Sequence, residues 1–274
     1  MSNSAATSLG LMLKAWRTQR HYTQLKLAEL ATISAKHLSF VETGRASPSR
    51  EMVLRLAAAL DVPLGVRNSM LMAAGYAPIH PTRDLSVDDT MVRVRAILSR
   101  LIERHEPYPA VVVLRNGELV LANNGMSRLM HFLGLAPAVK DGGRPNLMLS
   151  IFDPNGIRPY VLDWPDCARI ALRRLARDAD ALGGDPELLG LIERISKIPG
   201  VPTDWRHVCK WDESVPCMSF SLVRDGVRLN FISTMTSFGT PQDVTLQGLT
   251  IESFFPSDEE TEERWREITT TRLA

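Results

Sequence analysis

Residues 23–44, TQLKLAELATISAKHLSFVETG, decide the fold of the amino-terminal region. Their pattern predicts two short helices joined by a tight turn. Thr23 and Ser34 each precede a helical pattern, and both side chains can accept a hydrogen bond from a first-turn amide, as helix N-caps do. Thr32 and Ile33 form the turn, and Gly44 ends the second helix, where a left-handed backbone is needed.

The second of these helices has one apolar and one polar face. Leu38 and Val41 are spaced to face inward, while small and polar side chains occupy the opposite face. A helix of this kind suits end-on insertion into the major groove of DNA. The residues predicted to contact DNA are Gln24, Ser34, Ala35, Lys36, His37, Phe40, Thr43 and Arg45.

Position gives separate roles to four of these residues. Lys36 and His37 stand at the start of the second helix and are expected to reach base edges. Gln24 and Arg45 are expected to hold phosphates, which fix the register of a protein on DNA. Further possible phosphate contacts on a preceding helix are Lys14, Arg17 and Arg20.

This pattern resembles the helix-turn-helix modules of the xenobiotic-response-element type, which have a lambda-repressor-like fold. The resemblance rests on Gln24, Leu27, Ala28, the turn at 33–34, Leu38, residues 41–45 and Pro48. One position departs from the family pattern, because Thr32 stands where a glycine is usual. A β-branched residue with positive φ is strained, so the turn is either rebuilt or costs on the order of 1 kcal/mol.

Apolar spacing predicts three further helices in this region. They are expected at 9–20, at 50–60 with Ser49 as the N-cap, and from Pro63 to near Gly75. Together with the two helices of residues 23–44, they match the lambda-repressor-like fold that the resemblance implies.

Composition is that of an ordinary soluble globular protein. Of the 274 residues, 45% are hydrophobic and 23% are charged, and no apolar run is long enough to cross a membrane. The first residues lack the basic and apolar regions of a secretory signal. Cys167, Cys209 and Cys217 form no CxxC pair, which suits a reducing compartment. We therefore expect a cytoplasmic protein.

Charge is unevenly distributed along the chain. Residues 1–80 hold nine Lys and Arg against four Asp and Glu, a net charge of +5; the remainder holds 23 against 27, a net charge of −4. A basic region beside an acidic one is typical of a DNA-binding domain joined to a regulatory domain. We place the boundary near residues 77–85, with a DNA-binding domain at 1–80 and a second domain at 84–274.

The second domain has the pattern of an α+β fold. Strands are predicted at 109–114, 118–122, 218–224, 227–235 and 244–254, with an Asn-Gly hairpin turn between the first two. Helices are predicted at 84–106, after Asn123, and at 146–152, 164–179, 186–198 and 259–268. This order favours a five-stranded antiparallel sheet with helices inserted after the second strand. That is a PAS-like arrangement, although other α+β folds share the pattern.

Longer strings in the chain closely resemble the MmyB-like transcription regulators. They are residues 67–78, 105–110, 152–154, 158–159, 164, 199–202, 236–246 and 251–256. The resemblance implies a lambda-repressor-like, mainly α amino-terminal domain and a PAS-like carboxy-terminal domain that binds a small ligand. The strings settle neither the physiological ligand nor the choice between activation and repression.

The apolar strand at 109–114 and the helices expected over it indicate where such a ligand binds. The predicted lining is Val111, Val113, Met126, Leu129, Met130, Leu149, Phe152, Tyr160 and Trp164. Few buried polar candidates accompany these side chains, which favours a lipophilic, fatty-acid-like ligand. Tyr160 and Trp164 could each offer one polar group. Alternatively, the interior is filled and the domain serves only for dimerisation or partner docking.

Other classes of function receive little support from the motifs. No nucleophile elbow, P-loop or dinucleotide-binding motif is present, and neither a metal site nor a cofactor is predicted. His207 and Cys209 form a weak H-x-C pair, and His131 is a lone candidate haem ligand. We expect a non-enzymatic regulator that binds double-stranded DNA as a homodimer, with the apolar stripe of the helix at 84–106 as an added dimer surface.

Overall fold

The computed structural model of the protein describes residues 2–85, 88–135, 144–206 and 219–270. The described residues form two compact units. The first unit consists of Met1–Arg83 together with two later segments, Ala179–Asp185 and Thr240–Gln247. The second unit consists of Asp84–Asp178, Pro186–Gly239 and Gly248–Ala274. The predicted pair of His207 and Cys209 lies outside the described residues, as do residue 218 of the third predicted strand and residues 86–87 of the predicted connecting helix.

The first part of the chain is helical. Its helices are α1 (Ser2–Gln19), α2 (Gln24–Leu30), α3 (Ala35–Glu42), α4 (Arg50–Ala59) and α5 (Leu64–Ala73). The predicted N-caps Thr23, Ser34 and Ser49 are confirmed. Each side chain accepts a hydrogen bond from the amide three residues later, at 3.1, 3.2 and 3.3 Å respectively. These bonds satisfy amides that have no partner inside the helix.

The turn between α2 and α3 keeps a left-handed backbone despite its threonine. Thr32 has a φ of 55°, and its amide donates to the Glu29 carbonyl at 3.1 Å. Beyond the other end of α3, Gly44 has a φ of 72°. The predicted strain is therefore present at Thr32, whereas the glycine avoids it at the second position.

The core of the first unit is made of apolar side chains from α1 to α5. Its buried members include Leu9, Leu13, Trp16, Leu27, Leu38, Val41, Leu56, Leu60, Met70 and Leu71. The segment Ala179–Asp185 packs on α1, because Gln19 Nε2 donates to the Asp180 carbonyl. A Cβ at Gly183 would stand 2.7 Å from Cε2 of Trp16. That approach admits no side chain larger than hydrogen without a shift of the tryptophan.

Helices and strands alternate in the rest of the chain. The elements are α6 (Asp89–Glu103), β1 (Ala110–Leu114), β2 (Leu119–Ala122), α7 (Asn124–Phe132), α8 (Leu147–Phe152), a 3-10 turn (Arg158–Tyr160), α9 (Trp164–Ala181), α10 (Pro186–Ser196), β3 (Ser219–Arg224), β4 (Val227–Ser237), α11 (Val244–Gln247), β5 (Leu249–Pro256) and α12 (Glu259–Thr270). The predicted connecting helix is shorter than expected, because Asp88 caps α6 by accepting from the amides of Thr90 and Met91.

Among the described residues, the strands form a five-stranded sheet in the order β2-β1-β5-β4-β3, and each neighbouring pair is antiparallel. β1 and β5 are neighbours although they lie far apart in sequence. Val111 pairs with Glu252, and Val113 pairs with Thr250. The helices α7 to α10 come between β2 and β3 in the chain. The predicted sheet and the predicted insertion are therefore confirmed.

The last predicted strand, 244–254, is wrong over its first residues. Val244–Gln247 is a short helix, and β5 begins only after it. The cause is Asp243, whose Oδ1 accepts hydrogen bonds from the amides of Thr245 and Leu246 at 2.7 and 3.3 Å. An aspartate in this position offers the backbone a helical turn in place of a strand ladder.

Both faces of β1 are buried. Val111 and Val113 belong to an apolar cluster with residues of α7 and α12, among them Trp265. The alternate residues Ala110 and Val112 are buried on the opposite face, where α6 contacts β1. The sheet is therefore covered on both faces at this strand.

Candidate DNA-binding surface and ligand-binding domain

The polar face of α3 is accessible. The eight residues predicted to contact DNA are all exposed or half-buried: Gln24, Ser34, Ala35, Lys36, His37, Phe40, Thr43 and Arg45. Leu38 and Val41 are buried in the core, as predicted. Most of the predicted set therefore lies on α3 or directly beside its ends, where the side chains are accessible to a partner. DNA contact by individual residues stays a prediction.

Hydrogen bonds fix both ends of α3. Ser34 Oγ accepts from the His37 amide at 3.2 Å at the amino-terminal end. At the other end, Thr43 Oγ1 donates to a backbone carbonyl one turn earlier at 2.7 Å. Lys36 Nζ lies 5.8 Å from the centre of the Phe40 ring, a cation–π contact that holds the lysine along the helix. The accessible face is thus presented by a helix with little freedom to fray.

A buried ion pair joins α3 to α1. Arg17 Nε and Nη2 donate to the Glu42 carboxylate at 2.7 and 3.1 Å, and the side chains are only 13% and 3% exposed. This hydrogen bond is the main reason that the pKa of Arg17 is raised above its usual value. Arg17 is therefore held inside the unit, where it positions α3, and the phosphate contact considered from the sequence is replaced by a structural role.

Gln24 is tied to the same carboxylate. Its Nε2 donates to Glu42 Oε2 at 2.7 Å, while the side chain remains half-buried at the start of α2. The bond sets the direction of the glutamine amide beside α3. Sequence spacing gives no sign of this network, because the three residues that form it lie on three different helices.

The residues predicted to line the ligand site form two groups by their contacts. The first group belongs to, or packs against, the apolar cluster of the second unit and consists of Val111, Val113, Met126, Leu129, Met130 and Tyr160. In the second group, Phe152 and Trp164 meet edge to face with ring centres 6.2 Å apart, and Leu149 is half-buried on α8. Ligand binding by these residues stays a prediction.

Trp164 also borders an open groove of about 290 Å³, whose lining is Pro154, Arg158, Pro159, Trp164 and Pro199. The Arg158 guanidinium lies 3.8 Å from the centre of the Trp164 ring. The indole N–H of Trp164 donates to the Ile151 carbonyl at 2.8 Å. The polar group that we expected Trp164 to offer a ligand is therefore already used within the protein.

Glu252 is a candidate that the sequence reasoning missed. It lies in β5, opposite Val111 of β1. Burial raises the pKa of its carboxyl, while the charge of Arg174 and a hydrogen bond from Ser233 act in the opposite direction. A perturbed acid beside an apolar cluster is a common feature of functional sites. The detectable signal was a single acid within the apolar run LTIESFF at 249–255.

Two negative observations concern the described residues. No helix among them is long and apolar enough to cross a membrane. They also contain no cluster of three or more His, Cys, Asp or Glu side chains that could hold a metal ion. His131, the lone candidate haem ligand, is exposed at the end of α7.

Comparison with known proteins gives two family matches. A helix-turn-helix family model matches residues 13–66, which include α2 and α3. The model of the MmyB-like transcription regulator ligand binding domain matches residues 94–268, more than half of the chain. No curated protein matches the chain.

Among solved structures, the chain is similar to an RNA-binding Light-Oxygen-Voltage receptor, with 13% sequence identity and a TM-score of 0.26. The match covers 98% of this chain and 64% of that one, so the chain spans less than two thirds of the receptor. A likeness this weak carries no argument about function.

The two family matches agree with the accessible face of α3 and with the five-stranded sheet covered by helices. They identify a DNA-binding transcription regulator that carries a ligand-binding domain. The chain belongs to the MmyB-like transcription regulators.

Proposed function

We propose that the protein binds double-stranded DNA as a homodimer through α3, and that a lipophilic small molecule in the carboxy-terminal domain modulates this binding. The proposal assigns residues 1–80 to DNA binding and residues 84–274 to ligand binding and dimerisation, and it places the protein in the cytoplasm. The observation that carries it is the accessible polar face of α3, where none of the eight predicted contact residues is buried.

Lys36 and Arg45 test the DNA-binding face, and both are exposed. Replacing Arg45 with Ala should weaken binding to every duplex and reduce the slope of log affinity against log salt by about one, because one phosphate contact is lost. Replacing Lys36 with Ala should also change the preferred base at one position, by about 1–3 kcal/mol, because a base contact carries sequence information.

The measurement is fluorescence anisotropy with labelled duplexes over a salt series, after preferred sequences have been selected from a random library. Arg55→Ala is the control, because Arg55 is an exposed arginine of α4 outside the predicted contact set. If Lys36→Ala and Arg45→Ala behave like this control, α3 does not read DNA in the proposed way.

A second copy of the chain is proposed because one helix-turn-helix domain covers few base pairs. Two recognition helices about 34 Å apart would read a near-palindromic site. Support comes from α6, where Ile97 and Leu101, one turn apart, are 53% and 52% exposed. The other described apolar residues of the predicted stripe include Met91, Leu98 and Ile102, which are buried and so are not available to a partner. An exposed apolar surface of this kind suits contact with a partner copy.

Ile97→Glu should shift the protein toward the monomer and weaken its DNA binding, since a charge would enter the apolar contact. Ala96→Glu is the matched control, because it adds the same charge at an adjacent exposed position of α6. Sedimentation velocity at micromolar concentration, with and without DNA, measures both. A strictly monomeric wild type under both conditions contradicts the homodimer.

The ligand is proposed to lie between the sheet and the inserted helices. The support is the apolar cluster on this face of β1, which contains Val111 and Val113. Each CH₂ group that enters such an interior contributes roughly 0.8 kcal/mol, so the affinity for linear fatty acids should rise about fourfold per added carbon until the site is filled. Isothermal titration calorimetry with acids from decanoate to hexadecanoate measures this series.

Met130→Trp and Phe152→Trp each add bulk at a predicted lining position without adding charge. Fatty-acid binding should fall in both variants while the far-UV circular dichroism spectrum persists. Leu189→Trp is the control, because Leu189 is 46% exposed on α10 and its replacement leaves the interior unchanged. Unchanged binding in both interior variants would place the ligand site elsewhere.

A bound lipophile changes DNA affinity only if it binds one arrangement of the protein better than another. The rival proposal, in which the carboxy-terminal domain serves only for dimerisation or partner docking, has support in the same exposed residues of α6. Native mass spectrometry of the purified protein separates the two proposals, because it weighs the dimer and any co-purified molecule together. Binding of no fatty acid in the series would favour the rival.

A further inference from the structure

The connection between β4 and β5 belongs to the first unit, although both strands belong to the second. This segment, Thr240–Gln247, contains α11 and leads directly into β5. Hydrogen bonds join it to α5 and to the residues that follow α5. A part of the regulatory domain is thus built into the unit that carries the helix-turn-helix.

Gln247 caps α5 from outside the helix. Its Oε1 accepts from the backbone amide of Leu64, the first residue of α5, at 2.8 Å. Pro63, which precedes that residue, has no side-chain group that could accept this bond. Because first-turn amides lack partners within a helix, the distant glutamine performs the task that an adjacent serine or threonine performs for α2, α3 and α4.

Two further hydrogen bonds attach the segment to the chain after α5. The amide of Val244 donates to the Pro81 carbonyl at 2.9 Å. The side chain of Thr245 donates from Oγ1 to the Arg83 carbonyl, also at 2.9 Å. Arg83 is the last residue of the first stretch of the first unit. The segment is therefore hydrogen-bonded to the chain where it leaves the first unit.

The segment is hydrogen-bonded internally and packed against α5. Asp243 is 3% exposed, and its Oδ1 accepts hydrogen bonds from the first amides of α11, so that a residue of the segment caps the segment's own helix. The side chain of Val244 rests on α5, since a Cβ built on Gly65 would lie 3.5 Å from Val244 Cγ1. A capped and packed turn passes a displacement on as a rigid piece, whereas a loose loop would absorb it.

α5 is able to pass such a displacement further. Its residues Met70 and Leu71 are fully buried in the core that also holds α3. Asn68 on the same helix accepts hydrogen bonds from the amides of Ile79 and His80 at 3.1 and 3.0 Å. A shift at the start of α5 therefore acts both on the helix packing and on the chain that leads toward α6.

We infer that Thr240–Gln247 couples the ligand-binding domain to the DNA-binding helices, with Gln247 as the positioning residue that ties β5 to α5. The inference rests on the proposed function, because β5 pairs through Thr250 and Glu252 with the β1 residues proposed to lie beside the ligand. A ligand that shifts β1 moves β5, and Gln247 carries the movement to the first turn of α5.

Hydrogen exchange of the full-length protein, followed by mass spectrometry, tests this coupling without ligand or DNA. Phe254→Leu perturbs the sheet, because it trims a buried side chain of β5. The readout is the exchange rate of the amides from Leu64 to Asn68 in α5. Gln247→Ala removes the proposed link. Gln242→Ala is the matched control, since Gln242 is an exposed glutamine of the same segment.

In the wild type and in the Gln242→Ala protein, Phe254→Leu should speed exchange at these amides by about fivefold or more, the size of a typical coupling between sites. In the Gln247→Ala protein the amides should exchange faster from the outset, and Phe254→Leu should add nothing. If circular dichroism shows that Phe254→Leu does not fold, Ile251→Val provides a milder perturbation of β5.

The inference is overturned if the sheet variants leave the α5 amides at the wild-type rate. It is equally overturned if the effect of the sheet variants persists undiminished after Gln247→Ala. Both results are obtained whether or not the protein binds DNA or a lipophile, so a failure of the coupling is distinguishable from a failure of the proposed function.

Discussion

The two units take their shape from residues at very different distances along the chain. In the first unit, α2, α3 and α4 are each capped by the residue directly before them. In the second unit, Val111 pairs with Glu252 across the middle of the sheet, and Trp265 of α12 completes the cluster on one face. The starts of α2, α3 and α4 are thus specified locally, whereas the start of α5 depends on Gln247 and the interior of the second unit needs most of the chain.

The proposed activities differ in the same sense. The residues proposed to contact DNA are accessible on one helix, whereas many of those proposed to contact the ligand are packed in the core. Substitutions on the face of α3 should therefore alter binding with little effect on stability. Substitutions in the interior of the second unit should alter stability and binding together.

Removal of the Trp265 side chain should cause the largest loss in the free energy of unfolding, because this residue, distant in sequence from β1, completes the core of the second unit. Its side chain is fully buried, its ring lies 5.8 Å from that of Phe231, and its Nε1 donates to the Pro107 carbonyl at 3.0 Å. Trp265→Ala should lower the free energy of unfolding by about 3–5 kcal/mol. Urea unfolding followed by circular dichroism measures it.

The control for this substitution is Arg264→Ala. Arg264 is adjacent on α12, 50% exposed and paired with Glu267 at 3.2 Å, so its loss should cost less than about 1 kcal/mol. If Trp265→Ala costs no more than this control, α12 does not complete the core of the second unit.

Removal of the Glu42 carboxylate tests whether the first unit is specified only by local signals. Glu42→Ala leaves Arg17, which is 13% exposed, as a nearly buried charge without its carboxylate partner, while the Tyr22 carbonyl still accepts from its Nη1. We expect a loss of about 3 kcal/mol in the free energy of unfolding. Glu29→Ala is the control, because Glu29 is 71% exposed in a pair with Lys26, and it should cost under about 0.5 kcal/mol. Equal losses would mean that the Arg17 pair has no structural role.

Replacement of Thr32 tests whether a single residue specifies the turn between α2 and α3. Thr32→Gly should raise the free energy of unfolding by about 0.5–1 kcal/mol, since relief of the left-handed strain exceeds the added entropy of the unfolded glycine. Gly44→Ala is the reciprocal change, because Gly44 has a φ of 72°, and it should cost about 1 kcal/mol. A thermal melt of both variants measures the two effects, and a destabilised Thr32→Gly would refute strain at this turn.

The smallest effect concerns the acid within the sheet. Burial raises the pKa of Glu252, with Arg174 and Ser233 opposing it, so the folded protein binds more protons than the unfolded chain above the unfolded pKa of about 4.3. The free energy of unfolding therefore falls as pH rises through the folded pKa. Glu252→Gln should be more stable than wild type near pH 8, with the difference shrinking toward pH 4. Urea unfolding at both pH values measures this, and a difference independent of pH would contradict it.

Sequence reasoning succeeded where the signals are contained in a few consecutive residues. The caps Thr23, Ser34 and Ser49 and the left-handed Gly44 are each readable from one position and its neighbours. The order of strands and inserted helices was also readable, because turn residues and apolar alternation mark each element. The left-handed backbone at Thr32 followed from its place in the motif.

Prediction failed where the partner of a residue lies elsewhere in the chain. No sequence signal near Arg17 indicates that its hydrogen-bond acceptor is Glu42, 25 residues later. The apolar alternation of residues 244–254 favours a strand, and the strand prediction followed it. Asp243 instead caps a short helix at residues 244–247. Trp164 was expected to offer its N–H to a ligand, but Ile151 provides the acceptor once α8 has folded beside it.

The membership of Thr240–Gln247 in the first unit has a further consequence for how the protein is made. A ribosome releases α1 to α5 well before Gln247, because α6 to α10 and β1 to β4 are synthesised in between. The residues of α3 are therefore synthesised before Gln247, whose side chain accepts the hydrogen bond from the amide of Leu64. Synthesis therefore completes the helix proposed to bind DNA before it completes Thr240–Gln247. A product terminated before residue 240 carries α3 without the segment proposed to couple it to the ligand-binding domain.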